Sequence, residues 1–80
     1  MRLDHFHVTA HAQQREVERC IDHDLMINIV MYPDSKKQLR RGRHGGIVYQ
    51  FTRKNSDGVM VVIAEVCEPD AWLITAYRTA

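Results

Sequence analysis

His11, Arg15 and Arg19 stand at i, i+4 and i+8 in the stretch running from Thr9 to Ile21. The stretch contains no Gly or Pro, and most of its residues are good helix formers, so it is expected to be a short helix. Thr9 is suited to cap it, because a threonine hydroxyl accepts a bond from an unpaired N–H of the first turn. On such a helix the three side chains line one side, roughly 6 Å apart along the axis. An imidazole followed by two guanidiniums suits phosphate: histidine moves a proton, and arginine donates paired bonds to anionic oxygens. A solvated helix face tied down by Glu16, Glu18 and Asp22 has the same spacing, so spacing alone leaves both readings open.

Three further groups bear on chemistry. Lys36, Lys37, Arg40, Arg41 and Arg43 are five of the eleven lysines and arginines, although the formal net charge is only +1. Such a cluster grips an RNA backbone or an acidic partner protein, or is simply a solvated loop. Thr75, Tyr77 and Arg78 near the end of the chain could complete a site facing the first helix, while the Tyr77 ring serves equally well as a cap on the core. His5 and His7, with His11 nearby, lack a carboxylate or cysteine at a characteristic spacing, so neither a metal site nor a cofactor is expected. A nucleophile elbow, a P-loop and a dinucleotide fingerprint are all absent.

These side chains need a scaffold. Leu3 to Val8 reads as a first strand, followed by the helix just described. Asp22 can cap a second helix from Asp24 to about Tyr32, with Leu25, Met26, Ile29 and Val30 on its buried face and Pro33 ending it. Asp34 to Gly45 is polar and basic and reads as an exposed loop or irregular edge. Ile47 to Arg53 alternates as a half-buried strand. Asn55-Ser56-Asp57-Gly58 is a hairpin turn, and Val59 to Val66 is apolar until Glu65, as in a central strand covered on both faces. After Glu68-Pro69-Asp70 the last strand, Ala71 to Arg78, places Trp72, Ile74 and Ala76 on one face and Leu73, Thr75 and Tyr77 on the other. The order is β-α-α-β-β-β: an α+β domain with two helices packed on an antiparallel sheet of three to four strands.

Eighty residues make one domain, 1–80, with a small core. An apolar fraction of 45% with 26% charged residues is that of a folded soluble protein. The apolar runs are too short to span a bilayer, and the first residues lack the apolar segment of a signal peptide, so a cytoplasmic protein with no membrane partner is expected. Cys20 and Cys67 form no C-x-x-C pair and read as small buried hydrophobes.

The pattern His11-Ala12-x-x-Arg15-x-x-x-Arg19-x-Ile21, with Ile74-Thr75-Ala76-Tyr77-Arg78 at the end, resembles a family of small bacterial and phage domains of unknown function. Those domains carry H-A-x-x-R-x-x-E-R-G-I and end in V-I-T-x-Y. They are similar to RelE/ParE-type and barnase–colicin-type ribonuclease toxins. The resemblance spans nearly the whole chain. It implies a helix pair over a curved sheet, with an RNA-cleaving cleft between the first helix and the sheet. The motif positions carried over are His11, Arg15, Arg19, Thr75 and Tyr77. Cys20 stands where the family pattern has glycine, so the first helix is expected to run further here.

The expected function is therefore a toxin-type, metal-independent endoribonuclease acting through the ribose 2′-OH. His11 would be its acid or base, Arg15 and Arg19 its phosphate stabilisers, and Tyr77 its positioning or proton-transfer group. The basic cluster, Thr75 and Arg78 would hold RNA or an acidic antitoxin. The alternative is a non-catalytic phage or mobile-element protein, an inhibitor or adaptor, that binds another protein through the same basic surface. His11→Ala is expected to abolish growth inhibition in a host and RNA cleavage in vitro without unfolding the protein. Cleavage by the purified variant at the wild-type rate would remove His11 from the chemistry.

Overall fold

Five strands form one mixed sheet in the order β1-β5-β4-β3-β2. The computed structural model describes residues 2–10, 12–14, 21–56 and 58–79. Its strands are β1 (His5–Val8), β2 (Ser35–Arg41), β3 (Ile47–Asn55), β4 (Gly58–Cys67) and β5 (Asp70–Thr79). Residues 10 and 12–14 are helical, and a second helix spans His23–Met31. The expected sites His11, Arg15, Arg19 and Cys20 lie outside the described residues.

Both helix starts form as their capping residues dictate. Thr9 Oγ1 accepts the Ala12 N–H at 3.1 Å, and Asp22 Oδ1 accepts the Asp24 N–H at 2.7 Å. Thr9 also donates its hydroxyl to the Leu73 carbonyl at 2.7 Å, which fastens the exit of β1 to β5. The second helix ends at Met31, one residue before the Tyr32-Pro33 step, as a following proline requires.

The sheet departs from the expected fold in three ways. First, it has five strands with two short helices, not three to four strands under a helix pair. The added strand is β2, the basic stretch read as a loop or irregular edge. It pairs antiparallel with β3, and every residue in it is exposed. Neither side of β2 is covered, so it carries no alternation of apolar and polar residues. Lysines and an irregular register on an edge strand also discourage pairing with other chains. Here the register shifts between Gln38 and Arg40, leaving Leu39 out of the ladder.

Second, the sheet is mixed. β1 runs parallel to β5, with His7 opposite Trp72. A pairing between residues so far apart in the chain leaves no local trace in sequence.

Third, the two faces of β5 are not those of strict alternation. Ile63 pairs with Thr75 and Ala64 with Leu73, so Ile74 is an extra residue in the ladder. The bulge re-phases the strand. Ala71, Leu73 and Ala76 enter the core together, while the pairing puts Trp72, Thr75 and Tyr77 on the opposite face.

The helix-covered face holds the core, with Phe51, Met60, Val62, Ala64, Leu73 and Ala76 of the sheet packed with Ile21, Met26, Ile29 and Val30. On the other face Val48 and Val61 are buried, whereas Ile63, expected to be buried, is only half so. No helix among the described residues is long and apolar enough to cross a membrane. Leu73→Ala is expected to cost ~2–5 kcal/mol, because a fully enclosed side chain leaves a cavity that cannot collapse. Ile63→Ala should cost clearly less. Urea unfolding of the two variants checks this order, and the reverse order would make the open face the main core.

Candidate functional site

Pairing across the sheet brings five residues into one row on the face away from the second helix. His7 is opposite Trp72, Trp72 opposite Glu65, Glu65 opposite Val48, and Val48 opposite Arg40. The β2–β3 connection folds back over this row, and His44 stacks on Trp72 with ring centroids 4.1 Å apart and planes 7° from parallel. His7 also stacks on Trp72, at 5.0 Å and 17°, and its Nε2 lies 2.9 Å from Asp70 Oδ1.

A cavity of about 310 Å³ opens here, lined by Thr9, Arg40, Arg43, His44, Glu65, Trp72 and Ile74. The bulged Ile74 is part of its wall, so the irregularity in β5 shapes the site as well as the core. Glu65 is only 2% exposed. Its Oε2 accepts the His44 N–H at 2.8 Å and the Gly46 N–H at 2.9 Å. A buried carboxylate needs such donors, and successive backbone N–H groups in a turn supply them. Arg40 and Arg43 lie at the same cavity. Among the described residues, no ion pair joins either guanidinium to a carboxylate. They leave the cavity positive above its buried acid.

The expected basic cluster is thus divided. Arg40 and Arg43 line the cavity, and Lys37 shares the open face by its pairing with Gln50. The Lys36 ammonium instead lies 4.8 Å from the centre of the Tyr49 ring, and Arg41 pairs with Ile47. Both positions belong to the opposite side of the sheet. Thr75 and Tyr77 share the open face with Trp72 but line no part of the cavity, and Tyr77 is half-buried. The Arg78 guanidinium turns away and donates to Met60 Sδ at 3.1 Å.

The expected cleft between the first helix and the sheet was to hold His11, Arg15 and Arg19, which lie outside the described residues. Of that stretch, the cap Thr9 lines the cavity. His5 and His7 form no metal-ligating group among the described residues. Among the described residues, the one set of close ligand atoms is Asp22, His23 and Asp24 at the start of the second helix, all three exposed and with the Asp22 carboxylate already capping the helix. Cys67 is a free, half-buried thiol.

His44, Glu65 and Trp72 were not singled out by spacing. Glu65 did leave a signal: an acid inside an apolar, β-branched run must find donors or lie at an edge. The Gly-Arg-His-Gly-Gly sequence of residues 42–46 is where those donors come from.

Fold and site define a small domain with one face packed by helices and the other carrying a basic, aromatic cavity. The chain belongs to the domain of unknown function family DUF4258, whose model matches residues 8–78. No curated protein and no solved structure matches it.

Proposed function

We propose that the chain binds single-stranded RNA on the open face of its sheet and cleaves it as an endoribonuclease, the activity that resemblance to the ribonuclease toxins implies. The observation that carries this reading is the meeting of Arg40, Arg43, His44 and Trp72 at one cavity. Guanidiniums suit phosphate, and aromatic rings suit unstacked bases, which RNA offers in single strands. A cavity of this size takes one nucleotide rather than a duplex.

In the proposed reaction the ribose 2′-oxygen attacks the adjacent phosphorus, and the P–O5′ bond breaks. A base takes the 2′-OH proton and an acid protonates the leaving 5′-oxygen, giving a 2′,3′-cyclic phosphate and a 5′-OH end. Arginine at the phosphate offsets the charge that builds on its oxygens. His44 is one proton-transfer group. His11, two positions beyond the cavity-lining Thr9 in sequence, is the other. Arg15, Arg19 and Tyr77 keep supporting roles, holding flanking phosphates and sugars. Production of such an enzyme in a host should arrest growth unless an antitoxin is present.

The test is a salt titration of binding to a single-stranded RNA, with the products examined for cyclic phosphate ends. Arg40→Ala and Arg43→Ala should each reduce the salt slope by about one unit, and Lys36→Ala, on the other side of the sheet, should leave it unchanged. If the Arg40/Arg43 double variant binds RNA with wild-type affinity and slope, the cavity is not the RNA site. Loss of an acidic protein partner in that variant, with RNA binding unaltered, would favour an inhibitor or adaptor.

A further inference from the structure

The cavity contains one ionisable side chain that the proposed reaction does not use. We infer that Glu65 is a positioning residue: its carboxylate holds the turn 42–46 in the conformation that sets His44 on Trp72 and Arg43 at the cavity. The consequence for RNA rests on the function proposed above. The contact itself does not.

Four observations support this. The turn makes a single backbone bond across its own neck, Gly42 N–H to the Gly46 carbonyl at 2.9 Å. Its residues Arg43, His44 and Gly45 are exposed, so no buried apolar side chain fixes them. Glu65 supplies the missing anchor from the middle strand of the sheet, through two charge-assisted bonds of 2.8 and 2.9 Å. The backbone of the turn is also fitted to that carboxylate. A Cβ on Gly42 would fall on Glu65 Cδ and Oε1, and Gly45 adopts φ +83°, a conformation that favours glycine.

The anchor point decides what the turn can reach. Glu65 and Trp72 are cross-strand neighbours, so a turn fastened to one is set directly over the other. The His44 N–H bonds the carboxylate while the His44 ring lies on the indole. One residue is therefore held at both its backbone and its side chain, and Arg43 beside it is carried to the cavity.

The experiment begins with RNA-free protein. The chain has a single tryptophan, so ring-current shifts of the His44 ring protons in NMR spectra report on this one stack. Glu65→Met keeps the length and approximate volume of the side chain but removes both carboxylate oxygens, and with them the acceptor of the His44 and Gly46 N–H groups. The His44 ring protons should lose their upfield shift in the folded variant. Should Glu65→Met fail to unfold cooperatively, Gly42→Ala displaces the same carboxyl from the turn side, and the same loss is expected. In RNA binding, either variant should reduce the salt slope by about one unit as Arg43 leaves its place. A Glu65 that only stabilises the sheet would lower the melting temperature and leave the His44 shifts and the salt slope of the folded protein unchanged, which would overturn the inference. Loss of the shifts in a protein whose wild type binds no RNA would uphold the positioning role and remove the RNA reading.

Discussion

A carboxylate buried on the middle strand of a five-stranded sheet sets the terms for everything on that face. Taking an ionised group out of water is costly unless donors replace the lost solvent. Glu65 is 2% exposed, and its donors come from the backbone of a turn nineteen and twenty-one residues earlier in the chain. The turn must therefore stay folded against the sheet for the charge to be tolerated, and the charge must stay in place for the turn to be ordered. Each condition sustains the other. The cavity, the His44–Trp72 stack and the position of Arg43 all follow from that mutual dependence.

The constraint matters because the described residues cover the two faces of the sheet unequally. The helices cover one face and supply most of the apolar core. On the other, Val48 beneath the turn is fully buried, while Ile63, Gln50 and Thr75 are only partly covered. A half-covered, polar and cationic sheet face is a surface a ligand can approach. Its chemistry is concentrated where the turn meets the strands.

Much of the scaffold was legible because it rests on local chemistry. The Thr9 and Asp22 caps, the proline that follows the second helix, and the hairpin that sets Asn55 opposite Gly58 each depend on a few neighbouring residues. What escaped depends on distant ones. The strand β2 carries no apolar stripe because neither of its sides is covered, so its charge reads as loop. The phase of β5 changes at Ile74 because of its pairing with β4, which alternation within β5 cannot register. The parallel pairing of β1 with β5 joins residues some sixty-five positions apart. For the same reason, helical spacing drew notice to His11, Arg15 and Arg19 and passed over a row assembled from β1, β5, β4, β3 and β2. A helix brings i and i+4 together visibly, whereas a sheet assembles a site from residues whose separation in sequence is arbitrary.

The division of the basic cluster narrows what that site can be. If Lys36 to Arg43 were one solvated stretch, its charges would act as a diffuse field, and any polyanion would serve. Instead the bulge at Leu39 re-phases β2, so that Arg40 reaches the open face while Lys36 lies against the Tyr49 ring, and the turn brings Arg43 back beside Arg40 at the cavity. Two guanidiniums are thus gathered at a site with an indole and an imidazole, above a carboxylate occupied by the backbone. A carboxylate free to pair with those arginines would cancel their charge. One committed to two N–H groups leaves them directed at the cavity, although the acid lies beneath it. Two guanidiniums against one carboxylate leave the cavity a net positive charge for a ligand. This favours oriented recognition of a phosphate next to an aromatic ring over non-specific attraction, and it makes Glu65 as much a determinant of the site as the residues that would touch the ligand.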